Sequence, residues 1–158
     1  MKQWILFIGG FLSFLAVVLT ILILILGNKS FLDVEKSAIA QVKNENLLAE
    51  VNRSYVYSND QTSVTVIGTD GEGKLKAVFV PMTGQEISET ALEGKINAQE
   101  ARDIALNDMD VKEILHTKLG MEDEVVVWEV VFFTENDKLN YVYVSATDGS
   151  IWKRILNL

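Results

Sequence analysis

Trp4 to Leu26 is an unbroken run without a single charged residue. This run constrains the chain more than any other feature, because only a few environments accept it. As a helix it rises roughly 34 Å, and the hydrocarbon core of a bilayer is about 30 Å thick. A helix buried in a protein core normally keeps one polar side, whereas this run is apolar on every side. The expectation is therefore a membrane-inserted helix. Gly9 and Ser13 make one small-xxx-small pair, a thin basis for helix–helix contact.

A cleaved signal peptide fits less well. The apolar stretch is longer than the usual h-region of about 7–15 residues, and Gly27-Asn28-Lys29-Ser30-Phe31 offers no small-x-small cleavage site. An uncleaved signal anchor over residues 1–29 is expected, with Gly27-Asn28 as its break. Lys2 precedes the run, and Lys29 and Lys36 follow it, diluted by Asp33 and Glu35. With so short a leading flank, the expected orientation leaves the N-terminus in the cytoplasm and exports the rest.

All 22 acidic residues follow the apolar run, and one of the 14 basic residues, Lys2, precedes it. The negative charge of the chain, −8 overall, is thus carried by the part after the run. Nucleic-acid binding needs a cationic face to replace counterions, so it is excluded as a leading function. Lying flat on an anionic lipid surface is disfavoured for the same reason. The chain has no cysteine, so neither disulfides nor thiol chemistry enter.

After the anchor, the periodicity predicts a helix from about Leu32 to about Glu50, with Val34, Ala38 and Val42 on one face. Three strands are expected next: Val51–Ser58, Thr62–Gly68 with its β-branched run Val64-Thr65-Val66-Ile67, and Leu75–Val80. Pro81 ends the third. Residues 83–95, polar and with two glycines, read as a linker. The same order then repeats. Asn97-Ala98-Gln99-Glu100 is a capping-box-like start, and Ala98, Ala101, Ile104 and Ala105 form a buried stripe ending near Met109. Strands follow over Val111–Leu119, Val125–Phe133 and Leu139–Ala146, and Asp148-Gly149 turns the chain into Ile151–Ile155. Nothing has the βαβ rhythm of a parallel sheet. The fold class is α+β: a transmembrane helix over 1–29, a helix-plus-three-strand module over 30–82, a linker over 83–95, and a second module over 96–158. Each module is a helix packed on an antiparallel sheet.

The second module resembles a PepSY-type domain in Trp128-Glu129-Val130-Val131-Phe132, Tyr141-Val142-Tyr143-Val144 and Ala146-Thr147-Asp148-Gly149-Ser150-Ile151. Ser145 stands where an acidic residue is usual in that pattern. With Tyr55-Val56-Tyr57, Val66-Ile67-Gly68-Thr69-Asp70 and Lys118-Leu119-Gly120-Met121, nearly the whole chain resembles the TseB/YpmB-like family. That resemblance implies two PepSY/cystatin-like modules behind a membrane anchor in a Gram-positive bacterium. It also implies regulation of cell-wall elongation through a penicillin-binding protein.

Candidate chemistry is sparse. His116 is the one histidine; no serine stands in a nucleophile-elbow pattern to partner it, so a structural or exposed role is expected. One histidine and no cysteine exclude ordinary structural zinc. Asp70-x-Glu72 and Glu122-Asp123-Glu124 read as solvated hairpin tips rather than calcium loops. Glu129, beside Trp128, is expected on the opposite strand face, with no second carboxylate to make a glycosidase pair. Asp70-Gly71-Glu72-Gly73-Lys74 lacks the spacing of a phosphate loop. No catalytic, cofactor-binding or metal-ligating residue is nominated, and neither a cofactor nor a small-molecule substrate is expected. Tyr55, Tyr57, Tyr141, Tyr143 and Trp152 are interface-type side chains, though strand alternation makes core the default for each. The expected function is a non-catalytic, membrane-anchored extracytoplasmic protein that binds a penicillin-binding protein. The alternative is a PepSY-type modulator or inhibitor of an extracytoplasmic peptidase, with an enzyme acting on wall fragments third.

Overall fold

The structure, a computed structural model, describes residues 2–59, 61–83 and 86–158, with the side chains at 2, 3, 5–7 and 24–30 outside that description. The chain forms two compact units, Met1–Ser37 and Ala38–Leu158.

The first unit is helical. Helix α1 runs Lys2–Asn44 and so passes from this unit into the next. The expected break at Gly27-Asn28 is corrected: both are helical. A lone glycine costs a helix only about 1 kcal/mol relative to alanine, too little to stop one flanked by strong formers. Phe11, Leu12, Phe14, Leu15 and Val17 are all exposed, so no side of this stretch is polar. Among the described residues no helix is long and apolar enough to cross a membrane. The expected anchor over 1–29 includes positions outside the described residues and side chains.

In the second unit, α1 closes with Ala38 and Val42 buried one turn apart. It ends at Asn44, six residues short of the expected end, and Asn46 takes a positive φ just beyond it. Two four-stranded antiparallel sheets follow. The first has the order β1 (Glu50–Ser58), β2 (Thr62–Thr69), β3 (Leu75–Pro81), β4 (Ser88–Ala91). β2 and β3 are buried on both faces: Val64, Thr65 and Val66 on one strand, Ala77 to Val80 on the other. This is why their sequences are continuous apolar or β-branched runs rather than alternating ones. The expected linker over 83–95 is corrected in part, since β4 lies inside it and pairs with β3, Lys76 facing Ala91 and Phe79 facing Ser88.

Helix α2 (Ala98–Ala105) starts as its sequence predicts. The Asn97 side chain accepts from the backbone N–H of Gln99 and Glu100, and the Glu100 carboxylate accepts from the Asn97 N–H at 2.8 Å. The three bonds satisfy N–H groups that no helical carbonyl reaches. Ala101 and Ala105 face inward and are fully buried. The second sheet has the order β5 (Val111–Glu122), β6 (Val125–Thr134), β7 (Leu139–Ser145), β8 (Ile151–Ile155). Each sheet thus has four strands, one more than the three-strand expectation.

One apolar core joins the sheets. Ala77 and Phe79 from the first meet Leu119, Trp128, Val130, Phe132, Val142 and Val144 from the second, with Ala101 and Ala105 of α2. Full burial of a side chain such as Leu119 or Phe132 contributes about 1.5–3 kcal/mol. Trp128 also donates its indole N–H to the Ile96 carbonyl at 2.7 Å, so its polar atom enters the core already satisfied.

Candidate functional site

The polar chemistry of the second unit gathers where β5 crosses β1 and β2. β5 is an edge strand, and its outward backbone groups need partners if they are buried. Tyr55 and Thr65 face each other in the β1–β2 register. Together they hold one residue of β5: the Leu119 N–H donates to the Tyr55 hydroxyl at 2.7 Å, and the Thr65 hydroxyl donates to the Leu119 carbonyl at 2.8 Å. Lys118 donates to the Val56 carbonyl at 3.0 Å and lies 5.8 Å from the centre of the Tyr55 ring. The edges of β1 and β5 are thus stitched by side chains rather than by a shared ladder.

Two residues on, the Tyr57 ring lies over Gly120, where a Cβ would come within 2.2 Å of the ring carbons. Its hydroxyl donates to Glu122 at 2.6 Å, and the Asn59 amide donates to the same carboxylate oxygen. Glu122 is only 6% exposed, so these bonds replace the water it has lost. Burial pushes the Tyr55 phenol up to about 12, against smaller opposing effects of the Leu119 N–H and Arg53. Burial, reinforced by Glu122, pushes Tyr57 up further.

Glu129, also 6% exposed, has its own pair of partners: His116 Nε2 at 2.8 Å and the Tyr143 hydroxyl at 3.0 Å. Burial and then the charge of Glu129 hold the Tyr143 phenol above its ordinary value. In the sheet register Glu129 sits in a row with Lys118, Tyr143 and Lys153. At the far end of that row Lys153 lies 5.7 Å from the centre of the Tyr143 ring.

At the end of the seam a cleft of about 610 Å³ opens between the sheets, lined by Thr62, Phe79, Pro81, Ser88, Met121 and Glu122 among others. The β5–β6 turn, Asp123-Glu124, stands at its wall. Both turn residues have positive φ, 46° and 67°, as a two-residue type I′ hairpin requires.

Residues 37–81 match the cell wall elongation regulator TseB-like domain, and residues 95–154 match the peptidase propeptide and YPEB domain, the PepSY domain. The probable cell wall elongation regulator TseB of Bacillus subtilis (strain 168) is 30% identical over 122 residues, spanning 76% of this chain and 75% of that protein. The chain belongs to the TseB-like family. The solved structure of the YpmB protein from Bacillus subtilis superposes on this TseB-like chain with a TM-score of 0.68 and 27% identity, covering 77% of this chain and 95% of that one.

The fold brings some of the residues singled out in this TseB-like sequence together and keeps others apart. His116 and Glu129, considered separately from sequence, are brought into contact. Glu129 does lie on the face opposite Trp128, where it is buried rather than solvated. Glu122 is likewise no solvated tip, unlike its exposed neighbours Asp123 and Glu124. Asp70 caps its own turn by accepting from the N–H of Glu72 and Lys74, and those N–H bonds and Lys76 hold its carboxyl below the usual range. Among the described residues no cluster of three metal-ligating side chains forms. Of the aromatic set, Tyr57 and Tyr143 are buried, Tyr55 and Tyr141 half-buried, and Trp152 exposed at 43%. Nothing in the sequence marks Thr65, Asn59 or Gly120 for the seam; its signal there is a Tyr-x-Tyr strand and a Lys-Leu-Gly strand.

Proposed function

We propose that this TseB-like chain is a non-catalytic regulator of cell-wall elongation, anchored in the membrane by its N-terminal helix with Ala38–Leu158 outside the cytoplasm, and that it acts by binding a penicillin-binding protein. The observation that carries this reading is the seam. Tyr55, Tyr57, Asn59, Thr65, Lys118 and Glu122 spend their polar groups on one another or on backbone. The modules thereby form a fixed platform, suited to presenting a surface. The curated relative is named a cell wall elongation regulator, which supports a role in that process. The charge-free stretch Trp4–Leu26 supports the anchor; confinement at a membrane raises effective concentration, so a weak contact with another membrane protein suffices.

Crosslinking in intact cells, followed by identification of the captured proteins, tests the reading. A penicillin-binding protein is expected among them, and deletion is expected to alter cell shape. Protease added to whole cells is expected to digest the C-terminal unit. Failure to capture any wall-synthesis protein, together with unchanged cell shape on deletion, would refute the proposal.

A second reading rests on the match of residues 95–154 to a peptidase propeptide domain. Here the chain restrains an extracytoplasmic peptidase. Dose-dependent inhibition of secreted or membrane peptidases by the purified chain is its expected signature.

A further inference from the structure

We infer that β8 is a docking edge which takes an extended, acidic segment of a partner protein as a fifth strand on the second sheet. The inference rests on the binding role proposed above and assigns it a surface.

The two sheets have four marginal strands: β1, β4, β5 and β8. Three of them are obstructed. The β5 edge is occupied at Leu119 by Tyr55 and Thr65, and its exposed stretch, Lys112–Leu115, is broken by two register shifts. The β1 edge is engaged at Val56, whose carbonyl accepts from Lys118. β4 has only four residues. β8 differs. Ile151 to Arg154 are all exposed, and no described strand lies beyond it. The C-terminal residues do not cover it, because Leu158 turns back to exchange both backbone bonds with Leu139 of β7. β8 has one bulge, at Trp152 between Ile151 and Lys153; on either side of it, outward N–H and C=O groups face water, ready to add a strand.

The side chains select the occupant. Trp152 is 43% exposed between Ile151 and Lys153, an aromatic anchor of the kind that dominates interface energies. Lys153 and Arg154 have no carboxylate partner among the described residues; Lys153 rests 5.7 Å from the Tyr143 ring. Two unpaired cations beside an exposed tryptophan stand out in a chain of net charge −8. Lysine on an edge strand discourages self-pairing. A second copy pairing β8 to β8 would set these cations against each other, at a cost. A partner strand carrying Asp or Glu meets them with opposite charge, so the groups that repel a second copy attract it.

The test uses the purified full-length chain in detergent and two synthetic decapeptides, one alternating Glu with Thr and the other Lys with Thr. Amide hydrogen exchange is followed at residues 151–155. The glutamate peptide is expected to protect those amides and the lysine peptide to leave them unchanged. Added salt is expected to weaken the protection, and Lys153→Glu with Arg154→Glu to reverse the preference. Equal protection by both peptides, or protection elsewhere but not on β8, would overturn the inference. In cells, a doubly reversed variant that still crosslinks the wild-type partner would overturn the β8 surface while leaving the regulatory reading intact. Loss of capture by the wild-type chain itself would sink that reading instead.

Discussion

Tyr57 and Glu122, 65 positions apart in the chain, meet at 2.6 Å inside the seam between the two sheets. The carboxylate is buried, and its described partners are this phenol and the Asn59 amide. Tyr57→Phe keeps the ring over Gly120 and removes one bond. A buried acceptor that loses a donor costs about 1–3 kcal/mol, and the variant is expected to be destabilised by that amount in urea unfolding. Glu122→Gln in the Tyr57→Phe background should cost less than in the wild type, because the interaction is already gone. Additive losses would show that the two side chains do not act together.

Gly120 gives the complementary steric test. A methyl group there would lie 2.2 Å from the Tyr57 ring, and the ring is packed at 1% exposure. Gly120→Ala is expected to destabilise by about 1–3 kcal/mol, the usual range for overpacking. Combining it with Tyr57→Ala should recover part of that loss relative to Tyr57→Ala alone. A Gly120→Ala chain as stable as wild type would mean that β1 and β5 separate easily.

How far such features are legible in sequence depends on the range of the interaction. β2 announces itself in Val64-Thr65-Val66-Ile67, and α2 in Asn97 and Glu100, because β-branched stiffness and capping act within a few residues. β4 does not: Ser88-Glu89-Thr90-Ala91 has no apolar alternation, and it becomes a strand only because β3 offers it a ladder. The contact of His116 with Glu129 was beyond reach, since two register shifts, between Val111 and Glu113 and between Ile114 and His116, decide which residues of β5 face β6. Gly120 belongs to a family pattern, but its physical reason sits more than sixty residues away in the Tyr57 ring. Strand alternation makes core the default for Trp152, yet it is exposed, since it sits in a bulge of the edge strand β8.

Alkaline pH should loosen the seam. The Tyr55 phenol is raised from 10.0 to about 12 by burial, and Tyr57 and Tyr143 are raised as well. Folding therefore favours the protonated phenols. The stability they contribute is fully present below pH 10 and is lost as pH rises through about 12. Urea midpoints are expected to stay level up to about pH 10 and then to fall as pH rises toward about 12. Tyrosinate absorbance should show these phenols ionising later than free tyrosine. Their ionisation at the free-tyrosine pH in a still-folded chain would contradict the burial argument.

The Asp123-Glu124 turn holds strain that a substitution can release. Both residues have positive φ, and a side chain with a Cβ pays for that conformation, whereas Asp-Gly is a preferred type I′ pair. Glu124→Gly is expected to raise stability by a few tenths to about 1 kcal/mol, read as a higher urea midpoint with an unchanged slope. A fall in stability would place the turn in a different conformation.

Thr117 supplies the last test, because it runs against the rule that deleting polar groups from a fold is harmful. Its hydroxyl is buried on β5 with no hydrogen-bond partner among the described residues. Such a group has lost water and gained nothing, a net cost rather than a contribution. Valine has nearly the same shape and favours a strand equally well. Thr117→Val is therefore expected to leave stability unchanged or raise it by about 1 kcal/mol, while Thr65→Val, which removes the donor to the Leu119 carbonyl, is expected to lower it. The same substitution thus changes sign between two strands of one seam. Equal destabilisation by both would show that Thr117 finds a partner in solution.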